Sequence, residues 1–149
     1  MSNSTIIDSL TLSTNTSIGE ILSSKVSVSV SRVAIWVAAA AVANVVLFFI
    51  GENAGATYSV GSPAPINALM TGIATVVPLS IGAFVASFVG KKSTKALNVL
   101  VWVGFIVAIV SAPNGWVLSQ DTSTGLTLGA MHLVAAFAWL LAVKPRKDA

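Results

Sequence analysis

Cysteine is absent from the 149 residues, and with it go disulfides, thiolate metal sites, lipid attachment through sulfur and cysteine nucleophiles. Charge is scarce: 9% of residues are Asp, Glu, Lys or Arg, against about 25% in an ordinary soluble domain. There is one His and one Tyr. With so few ionisable groups, neither a metal cage nor a pair of catalytic carboxylates is expected within the chain's apolar blocks, and Gly-rich phosphate loops are missing. No cofactor, no metal site and no enzyme activity are expected, the one enzymatic reading left open being action on lipid through Glu52 and His132. Basic residues flank apolar blocks instead of forming a face, so no nucleic-acid partner is expected either.

What fills the chain is apolar: 55% of residues are hydrophobic and the mean hydropathy is +0.89. A soluble domain of this size needs more polar surface than that, so the expected environment is a lipid bilayer. Four blocks are long enough, or nearly so, to span it: about 33–50, 66–89, 96–111 and 124–143. The first covers about 27 Å as a helix and is interrupted only by Asn44. The second follows Ser62, Pro63 and Pro65, which read as a helix start, and contains Pro78, read as a kink whose freed carbonyl Thr75 serves. The third is short unless it runs on through Ser111–Pro113. The fourth starts after Asp121 and Thr122 as caps and stops before Pro145.

All eight basic residues fall on one side of this pattern. Lys25 and Arg32 precede the first block, Lys91, Lys92 and Lys95 separate the second from the third, and Lys144, Arg146 and Lys147 follow the fourth. The positive-inside rule then places both termini and the 91–95 loop in the cytoplasm, and the loops at 51–62 and 112–121 outside. Trp36 and Trp139 fall near the inner boundary and Tyr58 and Trp116 in the outer loops, as an aromatic belt requires. The expected fold is an all-α bundle of four transmembrane helices. Residues 32–144 form the membrane domain, residues 1–31 a Ser/Thr-rich arm and residues 145–149 a basic tail. Eighteen apolar residues exceed a cleavable signal core of about 7–15, so the first span is expected to be retained. In the arm, Ser17 and Glu20 form a capping-box pattern, and the segment reads either as a disordered tail or as a short amphipathic helix. The alternation at 26–31 has strand period, but it leads directly into a span and is expected to be helical.

Inside a bilayer, an ionisable or amide side chain is the first place to look for function. His132 and Asn44 fall at similar depth in the last and first spans, and Asn67, Thr71 and Thr75 recur every four residues on one face of the second. With Glu52 at the rim they form a candidate outward-facing polar pocket. Two readings stand: hydrogen bonds that hold helices together, or a site in which His132 binds a ligand or relays protons. Haem ligation by His132, with Met131 as second ligand, is not expected, since adjacent helical residues point about 100° apart and cannot hold one iron from opposite sides. Gly125 and Gly129 make a G-x-x-x-G step, and Gly82, Ala86 and Gly90 a second small-residue ridge, both expected to pack helices within the bundle.

Asn44, the Ser111-Ala112-Pro113 break and Met131-His132-Leu133 together resemble an actinobacterial family of small four-span membrane proteins of unknown function, over about residues 32–144. The resemblance implies a four-helix fold, a bacterial plasma membrane and some role for Asn44 and His132. The functional expectation is a non-enzymatic accessory or structural component with a protein partner or as a homo-oligomer; the alternative is a small oligomeric transporter or ligand-binding protein.

Overall fold

The structure is a computed structural model and describes residues 27–61 and 64–145. Among these residues the chain is all-helical: α1 (Val30–Asn53), α2 (Ala68–Lys92), α3 (Thr94–Ser111), the short α4 (Asn114–Leu118) and α5 (Thr122–Val143). Four helices are long and apolar enough to cross a membrane, the third when α3 is taken together with α4. At 1.5 Å per residue, the 24 residues of α1 extend about 36 Å and the 18 of α3 about 27 Å, which brackets a hydrocarbon core of about 30 Å.

Each long helix starts on a residue whose side chain takes up a backbone N–H that the helix itself leaves unpaired. Ser29 caps α1, Asn67 caps α2 through Met70 N–H at 2.9 Å, Ser93 caps α3, and Asp121 caps α5 through Thr124 N–H at 2.7 Å. Three expectations change here. The helix foreseen over 26–31 begins only at Val30, because Ser29 adopts extended backbone to cap it. Block two starts at Ala68 on Asn67, not at the Ser62–Pro63 signal, which lies outside the described residues. The loop at 112–121 contains α4, which is too short to leave a periodic signal. Residues 1–26 and 146–149, with Lys25, Arg146, Lys147 and most of the arm, also lie outside the described residues.

α1 packs against α2 and α5, and α3 packs chiefly against α5, so α5 is the helix most covered by the others. In its apolar window 44% of residues are buried, against 17% for the α3–α4 stretch. Two apolar clusters lie at opposite ends. One joins Leu97 and Val101 of α3 to Ala83 and Ala86 of α2 and to Trp139, Ala142 and Val143 of α5; the other joins Phe48, Ala56, Tyr58 and Met131.

Trp139 is not a boundary residue, as its position in the sequence suggested, but the wedge of the first cluster. A side-chain carbon on Gly82 would come within 2.8 Å of its ring, and one on Gly104 within 2.6 Å of its Nε1. Only residues without a Cβ leave that slot open, and the indole N–H donates to Val101 O at 2.9 Å. The Gly82–Ala86–Gly90 ridge faces into the bundle, with Ala86 and Gly90 buried. The Gly125–Gly129 step instead receives α4: a Cβ on Gly125 would meet Trp116 Cδ1 at 2.8 Å, and one on Gly115 would meet Leu128 Cβ at the same distance. Pro78 lies within α2, but Thr75 does not serve the carbonyl that it frees: its hydroxyl donates to Thr71 O at 2.9 Å, while the residue four before Pro78 is Ala74.

Candidate intramembrane polar site

Asn44 lies in the middle of α1 with 3% of its surface exposed, facing both α2 and α5. Its amide nitrogen donates to Thr75 Oγ1 at 2.9 Å and to Met131 O at 3.4 Å, tying three helices together with one side chain. Thr75 is itself oriented by donating to Thr71 O, and Thr71 Oγ1 donates to Asn67 O at 3.1 Å. The four-residue spacing thus makes a ladder down one face of α2, with Thr71 and Thr75 buried. One atom is left over: Asn44 Oδ1 is buried and accepts no hydrogen bond among the described residues. Rotating the amide offers no remedy, because Met131 O can only accept and the Thr75 hydroxyl proton is already committed to Thr71 O.

The remaining candidates are placed around this core without joining it. His132 Nδ1 lies 2.8 Å from Leu128 O, one turn back on its own helix. Since a carbonyl only accepts, Nδ1 carries the proton and, in the neutral ring, Nε2 remains an acceptor. The depth match between Asn44 and the last span is real, yet the contact falls on the backbone of Met131; the adjacent imidazole points about 100° away. Asn67 is spent as the cap of α2, and Glu52 is exposed in the last turn of α1. Among the described residues no three His, Asp or Glu side chains gather as a metal site.

The densest polar arrangement lies elsewhere, where the 54–61 loop crosses the start of α5. Asp121 Oδ2 accepts from Thr57 Oγ1 at 2.6 Å, from Thr57 N–H at 3.2 Å and from Thr124 Oγ1 at 2.8 Å, while Oδ1 takes Thr124 N–H. Tyr58 follows in a left-handed conformation, φ 56°, which is uncommon for an aromatic residue. It is held there by its N–H donating to Thr124 Oγ1, its hydroxyl donating to Phe48 O, and its ring stacking on Phe48 at 4.3 Å. These bonds have electrostatic consequences. The Thr57 hydroxyl first, then Thr124 N–H, the Thr124 hydroxyl and Thr57 N–H, hold the Asp121 carboxyl well below the usual carboxylate range. Burial pushes the Tyr58 phenol up.

A family model matches residues 24–149 of the sequence, which takes in every described helix and the whole polar ladder. The chain belongs to DUF6069, a family of unknown function. No curated protein and no solved structure matches it. Membership agrees with the expectation of an uncharacterised family, and the DUF6069 segment leaves only residues 1–23 outside.

Sequence reasoning missed the clasp of Thr57, Tyr58, Asp121 and Thr124 in this DUF6069 chain, because its two halves lie 64 residues apart. Asp121 followed by Thr124 at cap spacing was the only local signal. It also missed Arg32 as a cap: Nε donates to Ala142 O at 2.9 Å and a terminal nitrogen to Lys144 O at 3.2 Å, satisfying carbonyls at the end of α5.

Proposed function

We propose that the chain is a non-enzymatic accessory or structural component of a membrane assembly. Its setting is a bacterial plasma membrane, following its resemblance to an actinobacterial family, with both termini in the cytoplasm. The observation that carries this reading is where the polar and apolar side chains are spent. Polar groups within the spans are turned onto neighbouring helices and backbone carbonyls, while α3 and α4 expose Val103, Ile106, Val107, Val110, Val117 and Leu118. A helix so little covered by its own chain leaves its apolar surface to lipid or to a second subunit.

Native mass spectrometry of the full chain, extracted from its own membrane in mild detergent, tests this directly. Heterologous subunits at fixed stoichiometry are expected; a lone chain or pure homo-oligomer overturns the accessory role. The orientation is supported by Arg32, Lys91, Lys92, Lys95 and Lys144 at one end of the bundle and Glu52 and Asp121 at the other. Because the chain has no native cysteine, single-cysteine labelling is free of background. In intact cells, an impermeant thiol reagent is expected to modify Asn53→Cys and to spare Lys92→Cys; the reverse pattern overturns the orientation.

One atom favours a second reading, an oligomeric transporter or ligand-binding protein with an outward-facing pocket. Asn44 Oδ1 is a buried acceptor with no donor among the described residues, and leaving such a group unpaired costs about 1–3 kcal/mol. A small ligand that co-purifies with the chain and is lost in His132→Ala or Asn44→Ala would move this reading to first place.

A further inference from the structure

The end of the bundle that carries the cations has a seam built from two helices. On α3, Lys95 and Trp102 are seven residues apart and therefore share a face; on α5, Phe137 and Leu141 are four apart and share another, and Lys144 follows as the C-cap of that helix. These two faces adjoin. The Lys144 ammonium lies 5.9 Å from the centre of the Trp102 ring, Trp102 meets Phe105 edge-on at 5.9 Å, and Phe105 meets Phe137 at 5.8 Å. A cationic head is thus followed by an aromatic strip that descends into the apolar part of the molecule. Trp102, Phe137 and Leu141 remain 50%, 56% and 47% exposed, so the strip is open to the surroundings.

No carboxylate of the described residues neutralises the cations of the seam. Among the described residues the carboxylates, Glu52 and Asp121, are at the opposite end, and Asp121 is engaged with Thr57 and Thr124. Arg32, by contrast, is spent on the carbonyls of Ala142 and Lys144. Trp102 lies eight residues into α3, about 12 Å from its start, so Lys144 is drawn beside an aromatic ring at the edge of the apolar zone instead of extending straight into water. An ammonium there attracts an anion whose remainder is apolar.

We propose that this seam is a binding site for one anionic phospholipid, with the headgroup phosphate taken by Lys95 and Lys144 and an acyl chain laid along Trp102, Phe105 and Phe137. The site holds for either orientation of the chain in the membrane and does not depend on the accessory role. It also differs from diffuse attraction to a charged surface. Lys91 lies over Phe88 at 5.7 Å, and Phe88 stacks edge-on with Phe84, but all three stand on α2 alone, and among the described residues no ring of a second helix joins them.

The test uses the purified full chain in mild detergent, with phosphatidylglycerol or phosphatidylcholine added at equal concentration and bound lipid counted by native mass spectrometry. One phosphatidylglycerol per chain is expected to be retained in preference to phosphatidylcholine. Lys95→Gln with Lys144→Gln is expected to weaken retention about tenfold or more. Lys91→Gln with Lys92→Gln removes the same charge and is expected to leave it within about twofold. Equal retention of both lipids overturns the proposal, as does an equal loss in the two double variants, which would mean charge without a site. Displacement of the lipid by millimolar inorganic phosphate overturns the acyl-chain half, since a free anion would then suffice. If the Lys95/Lys144 double variant does not fold, Lys95→Gln alone decides by the same comparison.

Discussion

The two ends of the bundle are closed by opposite means. At the acidic end, a loop is strapped to the start of α5 by directed hydrogen bonds from Thr57, Tyr58 and Thr124, with Asp121 as their hub. At the basic end, closure is by shape: Trp139 fills a slot between Gly82 and Gly104, and Leu97, Val101 and Val143 are almost completely buried around it. The difference follows from the chain's chemistry. The acidic end must fold an irregular loop whose backbone groups need partners, whereas the basic end joins α2 to α3 through Ser93 alone and has few backbone groups to satisfy. Directed bonds therefore go where backbone is irregular, and close packing goes where helices meet.

The contrast is broken most severely by Trp139→Ala, expected to cost about 3–5 kcal/mol through the cavity left in the slot. Gly104→Ala, the complementary overpacking change, is expected to cost about 1–3 kcal/mol. Both are read by reversible unfolding in mixed micelles, and a loss of under about 1 kcal/mol in Trp139→Ala would mean that the slot does not hold this end. A smaller effect is expected from Asp121→Asn, which keeps the shape of the clasp while removing its charge. Because the folded carboxyl titrates below its unfolded value of about 4, its contribution is complete above about pH 4 and fades as pH falls through the folded value. The thermal midpoint of the natural chain should therefore fall on acidification below about pH 4, and that of Asp121→Asn should fall less; parallel curves would exclude Asp121 as the hub. The smallest effect is expected from Asn44→Ala, about 0.6 kcal/mol, since it deletes the bond to Thr75 but also removes the unpaired Oδ1.

The spans and the gathering of cations at one end were legible because both are written in composition: long apolar blocks admit one solution in lipid, and lysines mark their ends. The helix starts were less so. Ser62 and Asn67 both have the side-chain acceptor that a cap requires, and α2 starts on Asn67. Of the candidate pocket, the α2 ladder and the depth of Asn44 were readable from spacing, whereas the departure of His132 from it depends on side-chain direction, which one residue of helical rotation decides. Trp116 and Trp139 looked like belt residues because an aromatic near a span end has two uses. Only the glycines opposite, Gly125 for one and Gly82 and Gly104 for the other, reveal that both are packing elements.

Ser93 ends α2 with its backbone N–H on Val89 O and opens α3 with its side chain on Ala96 N–H. With a single residue between them, the two helices cannot slide past each other. They make a helical hairpin whose tip holds Lys91, Lys92 and Lys95, so these three cations are kept together at one end of the bundle. The shorter helix, only 18 residues long, is thereby held in fixed register with its longer neighbour by one serine.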